Sequence, residues 1–174
     1  MFFNGCSAQK SSLEQAVTMR EQLLNANGCS FKVTLTADYQ DVIYTFRMEC
    51  TGDKEGNVVF EVVSPETISG VTGRISGDRG ELIFDEHALL FSKMIDGQIT
   101  PVCGPWIFLK TLRSGYIEAC RVENDGLFVQ FSDSYEGESF MLNVITKGNV
   151  PVFSELIWEE RRILAIEVEE YCVL

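Results

Sequence analysis

The sequence predicts an α+β fold built on antiparallel strands, with one amphipathic helix ahead of them and one apolar helix among them. Three observations carry that expectation. Residues 29–50 read as one long β-hairpin, residues 116–171 read as strands and turns alone, and residues 105–114 read as a short helix that is apolar nearly all round.

Residues 11–27 read as the amphipathic helix. Ser11 and Glu14 have the spacing of a capping box, Gly28 stands as the C-terminal stop, and Leu13, Ala16, Val17, Leu23 and Leu24 fall on one face. Arg20 falls in the middle of that face, where a bare charge is costly, so it must reach outward or find a partner. The hairpin follows. With Tyr39 and Gln40 as turn residues, Phe31 faces Met48, Val33 faces Phe46, Leu35 faces Tyr44 and Ala37 faces Val42, all apolar. The alternate face pairs Ser30 with Glu49, Lys32 with Arg47 and Thr34 with Thr45, the period-two pattern of a sheet with one buried side.

Residues 57–64 form the next expected strand, with Val58, Phe60 and Val62 on one side. The glycines of 68–80 lack both the Gly-Lys-Ser/Thr ending of a P-loop and the strand-to-helix setting of a dinucleotide fingerprint, and so read as strand ends and bulges. A second hairpin, 81–85 with 88–93, is expected to turn at Glu86-His87 and to set Leu82 opposite Phe91. Pro105 in the first turn and Gly115 at the stop bracket the apolar helix, whose Trp106, Ile107, Phe108 and Leu109 spread around its circumference. Such a helix either plugs a concave sheet or simply completes a core. Five closing strands, 116–122, 127–131, 138–145, 152–159 and 162–171, are evenly spaced as in an antiparallel meander, the last pair turning at Glu160-Arg161. Residues 11–174 are expected to be a single domain.

Composition narrows the function. A net charge of -12, with Lys and Arg scattered, argues against a nucleic-acid surface and against attraction to anionic lipid headgroups. His87 is the only histidine, placed in an expected turn without a nucleophile or metal-ligand spacing around it, so neither catalysis nor a metal centre is expected, and no cofactor. The six cysteines lack Cys-x-x-Cys spacing. In the expected hairpin register Cys29 lies opposite Cys50, where a disulfide could form outside the cytosol, although buried free thiols are common too. The first nine residues end an apolar start with Gly5-Cys6 and small or polar residues, which resembles the tail of a bacterial lipobox with Cys6 as the lipidated position. The basic and longer apolar leader of a complete signal is missing ahead of Gly5, and the alternative is a disordered 1–10 segment with a free Cys6.

The element order, Gly-Cys near the start, helix, long hairpin, a strand ending at Ser64-Pro65, a glycine-marked stretch, a short hairpin, a Pro-initiated apolar helix and a meander with Pro151 heading its last hairpin, resembles the bacterial outer-membrane lipoprotein carrier and receptor superfamily (LolA/LolB-like) over residues 11–172. The resemblance implies an antiparallel β half-barrel of about nine to eleven strands around an internal helix, with a cavity for acyl chains or another hydrophobic ligand. It implies Phe46, Phe60 and Phe84 as wall residues and Trp106, Ile107, Phe108 and Leu109 on the internal helix. A lipidated Cys6 would make the chain a membrane-anchored, extracytoplasmic lipoprotein that binds a lipid or another envelope protein. The expected function is therefore non-catalytic binding of a hydrophobic ligand. The alternative is an interaction or sensor module of the same fold whose cavity is filled by its own side chains.

Overall fold

The computed structural model describes residues 11–39, 42–95, 98–123 and 126–174. Helix α1, Ser12–Asn25, starts where the capping box places it: the Glu14 amide donates to the Ser11 hydroxyl at 3.2 Å and the Ser11 amide donates to the Glu14 carboxylate at 2.8 Å. Ala26, rather than Gly28, ends it, because Gly28 already belongs to the first strand.

That strand, β1 (Gly28–Asp38), is the middle of an eleven-stranded antiparallel sheet. On one side of β1 lie β2 (Ile43–Asp53), β3 (Val58–Ser64), β4 (Thr72–Ile75), β5 (Gly80–Phe84) and β6 (His87–Phe91), in that order. On its other side lie β13 (Arg161–Val173), β12 (Val150–Trp158), β11 (Glu138–Lys147), β10 (Gly126–Tyr135) and β9 (Tyr116–Glu123). Two meanders are thus zipped together by the β1–β13 pairing, and the sheet stays open between β6 and β9. The ladder shifts register at five places, on β1–β13, β2–β3, β9–β10, β11–β12 and β12–β13, and bulges of that kind bend and twist a sheet towards a half-barrel.

Alternation along β1 decides which face is inner. Cys29, Phe31, Val33, Leu35 and Ala37 are all buried, while Lys32, Thr34 and Thr36 face outward. Helix α2, Gly104–Ser114, lies on the inner face, entered through a 3-10 turn at Pro101–Cys103. Its approach is close: a Cβ at Gly104 would run into Leu35, and one at Gly52 into Leu109. A short strap with its own ladder, β7 (Met94–Ile95) and β8 (Gln98–Ile99), links β6 to the 3-10 turn.

Three hairpins turn two residues away from the expected pairing. Phe31 pairs with Cys50, Val33 with Met48 and Leu35 with Phe46; Leu82 pairs with Leu89; Trp158 pairs with Arg161. The first two registers are two residues from expectation, which leaves every side chain on its expected face because the strand period is two. The β12–β13 register is two residues off at the turn but, past the bulge between Leu156 and Ile157, one residue off. Leu156 there stands opposite Leu164, so that Leu164 and Ile166 rather than Ala165 face inward. The cause is visible at the last two turns, which are Asp85-Glu86 and Glu159-Glu160, all four residues at positive φ (45° to 65°). Two successive left-handed residues make the tight hairpin turn whose twist matches the strands, a position usually taken by Asn or Gly rather than by carboxylates.

Candidate functional site

The internal helix is locked from both ends. Arg20 of α1 donates from Nε to the Leu112 carbonyl at 2.9 Å and from Nη2 to the Gly115 carbonyl at 2.5 Å, with its guanidinium 5.3 Å from the Phe131 ring centre. It thereby satisfies carbonyls that the C-terminus of α2 would otherwise leave bare. Partial burial lowers the Arg20 pKa, with Asp133 pulling the other way. Lys110 Nζ donates to Asp133 Oδ2 at 2.7 Å, and the Thr111 hydroxyl donates to the same oxygen at 3.0 Å. Phe31 meets Phe108 edge-on at 5.8 Å, and Trp106 meets Tyr135 at 5.2 Å. Trp106 is 4% exposed and Ile107, Phe108 and Leu109 are 0% exposed. These four side chains are core, packed against the sheet with no surface left for a ligand.

Beside α2, Lys93 closes the strap. Its ammonium donates to the carbonyls of Ser76 and Gly77, at 2.7 and 2.6 Å, and sits 4.6 Å from the Trp106 ring centre and 5.0 Å from that of Tyr135. Desolvation lowers its pKa. The lysine thus ties the β4–β5 turn to α2 and to β10.

Where the hairpin outruns α2, the inner face opens. Tyr39, Val42, Tyr44, Ile95, Gln98, Thr100 and Pro101 line a cleft of about 490 Å³, most of whose surface is apolar. Val42, Tyr44 and Ile95 are about half-exposed, Tyr44 stands edge-on to Tyr39 at 6.2 Å, and it stacks on Phe46 at 6.3 Å. The Tyr39 hydroxyl donates to the Ile99 carbonyl at 3.4 Å, and burial pushes its pKa up to about 12. An apolar guest would meet two aromatic rings, two aliphatic side chains and a proline here, with a tyrosine hydroxyl and the Gln98 amide at the edge. A volume of this order lies within the range of small-ligand sites. A larger cleft of about 580 Å³, between the α2 terminus and β10–β12, mixes Tyr116, Phe140, Met141 and Ile157 with four serines and the carboxylates Asp133, Glu159 and Glu160. An apolar guest there would lie beside three acidic side chains, which the rim cleft does not impose.

The expected site residues therefore divide. Phe60 is buried with the four α2 residues, Phe46 is half-buried and joins the cleft through Tyr44, and Phe84 is 59% exposed far out on β5. The Cys29–Cys50 disulfide is corrected: both thiols are free and buried, with Cys29 opposite Gly52 and Cys50 opposite Phe31. The two-residue register change moves the pair from direct to diagonal, and diagonal Cβ atoms stand beyond the disulfide span. Burial pushes the Cys29 thiol up to about 11 and the Cys103 thiol up to about 12, the opposite of an activated nucleophile. His87 opens β6 and is exposed, rather than lying in the turn. Cys6 lies outside the described residues. The cleft residues Tyr39, Val42, Tyr44 and Ile95 escaped sequence reasoning. The available signal was that the apolar face of the hairpin runs on to its tip, beyond any helix long enough to cover it.

No protein-family model and no curated protein sequence matches the chain. Solved structures do. An uncharacterized conserved protein from Thermus thermophilus superposes with a TM-score of 0.52 at 10% identity, covering 94% of this chain and 88% of that one. A DUF1329 family protein from Desulfovibrio piger gives 0.52 at 7% identity, covering 93% and 91%. A LolA superfamily protein from Nitrosomonas europaea gives 0.49 at 8% identity, covering 92% and 94%. At such identities the likeness is one of fold alone: an open antiparallel sheet with one N-terminal and one internal helix.

Proposed function

We propose that the protein is a non-catalytic binding protein of the cell envelope, tethered as a lipoprotein through Cys6, which takes an apolar group such as an acyl chain in the rim cleft rather than beneath α2. The observation that carries the reading is the half-exposed cluster Val42, Tyr44 and Ile95 around a cleft of about 490 Å³, on the same inner face that α2 packs shut along β1 and the closing meander. Each methylene buried there would contribute about 0.8 kcal/mol, so part of one chain suffices for measurable binding. The LolA-like element order and the Gly5-Cys6 motif support the envelope assignment.

The test is displacement of an environment-sensitive apolar dye by a medium-chain fatty acid. Saturable uptake is expected, with Ile95→Asp weakening it at least tenfold, the cost of setting a charge against an apolar guest. No uptake, or uptake indifferent to Ile95→Asp, contradicts the reading.

A second reading, the interaction module with a self-filled interior, draws on one observation: Ile107, Phe108 and Leu109 have no exposure at all. It predicts no dye uptake and no co-extracted lipid, with the exposed apolar strands binding protein instead.

A further inference from the structure

The two edges of the sheet are unlike. Edge strand β9 carries Glu118, Arg121 and Glu123, meets its neighbour across a bulge, and has α1 packed on it, the Ser12 hydroxyl donating to the Cys120 carbonyl at 3.2 Å. These are the devices that keep an edge from pairing. Edge strand β6, His87-Ala88-Leu89-Leu90-Phe91, has none of them: no Lys, Arg, Asp, Glu or Pro, and an unbroken register with β5. It is apolar on both faces, with Leu89 64% exposed on the inner face and Leu90 65% exposed on the outer.

We propose that β6 is a self-association edge, at which two copies of this chain join antiparallel into one continuous sheet. In a hairpin with the two-residue turn Asp85-Glu86, the flanking pair Phe84 and His87 exchanges both backbone bonds, so alternation turns the N–H and C=O of Ala88 and Leu90 away from β5. A two-fold axis through Leu89 then sets Ala88 of each copy against Leu90 of the other, and each such pair exchanges both bonds. Leu89 meets its own counterpart, and His87 meets Phe91. Every outward polar group of β6 is paired, and the exposed leucines of both faces are covered.

Charge favours a second copy in this orientation. The acidic turn Asp85-Glu86 closes one end of β6, and exposed Arg79 stands at the other, one residue before Gly80, which pairs with Phe91. Carrying the register one pair beyond the ladder, which ends at Gly80–Phe91, would set Arg79, Ser92 and Glu86 of the second copy in one row on the outer face, with the Ser92 carbonyl already accepting from the Thr100 hydroxyl at 2.8 Å. Arg79 and Glu86 would be two strand spacings apart, about 10 Å between backbones, which an arginine and a glutamate side chain together span. The pairing is isologous and consumes the edge, so association stops at two.

Sedimentation velocity over a concentration series, under reducing conditions so that exposed Cys172 cannot join copies, tests the inference. The expected result is a monomer–dimer equilibrium that shifts to monomer in Leu90→Lys, with circular dichroism unchanged. Arg79→Glu is expected to weaken the dimer about tenfold, and adding Glu86→Arg to restore it, the signature of a direct charge pair. A monomer at every concentration, a dimer untouched by Leu90→Lys, species growing beyond two, or failure of Glu86→Arg to restore the Arg79→Glu variant each overturns it.

Discussion

The inner face of this half-barrel is two surfaces made from one kind of residue. Across β1 and the closing meander, apolar side chains meet α2 and vanish: Phe31, Leu35, Phe131, Phe108 and Leu109 are all buried. Towards β5, β6 and the tip of the first hairpin, side chains of the same types, Phe84, Leu89, Tyr44 and Ile95, stand in solvent. The sheet continues unchanged beneath both, so the difference lies in the reach of an eleven-residue helix. At 1.5 Å per residue such a helix spans about 16 Å, too short to roof an eleven-stranded sheet. Apolarity alone therefore does not mark a site in this chain. Apolarity beyond the reach of the helix does.

Substitutions should separate the two surfaces. The largest effect is expected from Phe108→Ala, which removes a ring from the closed side and should cost about 3–5 kcal/mol in urea unfolding. Arg20→Met keeps the packing stem but uncaps the α2 carbonyls of Leu112 and Gly115, and should cost about 1–2 kcal/mol by the same measurement. Phe84→Ala, on the open side, should change stability by no more than about 0.5 kcal/mol; a loss like that of Phe108→Ala would mean that the two surfaces are alike.

The closed side should also respond to alkali. Burial raises Cys29 from an ordinary 9.0 to about 11 and Cys103 to about 12, so between pH 9 and those values the unfolded chain releases protons that the folded chain keeps. Stability should be fully present below pH 9 and fall as pH climbs through 11. Tyr39 and Tyr135, raised from 10.0 to about 12, act in the same direction, whereas Lys93, lowered from 10.5, opposes the fall over the range below its ordinary value. Thermal melts of the wild type and of Cys29→Ala/Cys103→Ala should diverge above pH 9, the variant losing less.

Much of this arrangement can be read from the letters. The capping box at Ser11 and Glu14, the Pro105-initiated helix, the alternation along 29–50 and the even meander each rest on a local rule, and each holds. Turn positions do not come through, because Asp85, Glu86, Glu159 and Glu160 take a left-handed conformation that carboxylate side chains seldom adopt. On the first two hairpins the faces survive the error, since a two-residue slip preserves the parity of a strand. On β13 the bulge between Leu156 and Ile157 leaves a one-residue slip that turns Leu164 and Ile166 inward. The closed and open surfaces cannot be told apart by composition, because Phe60 and Phe84 are the same residue at equivalent points of an alternation, one beneath cover and the other past its end. Arg20 is a similar case: its place on the apolar face is legible, but the carbonyls it serves lie 92 and 95 residues away.

Photo-crosslinking decides the matter most directly. A diazirine-bearing fatty acid, activated on the folded protein and mapped by peptide mass spectrometry, should label Tyr39, Val42, Tyr44 or Ile95 at the rim. Label on Trp106, Ile107, Phe108 or Leu109, or no label anywhere, would contradict a filled half-barrel that takes its guest where the helix ends.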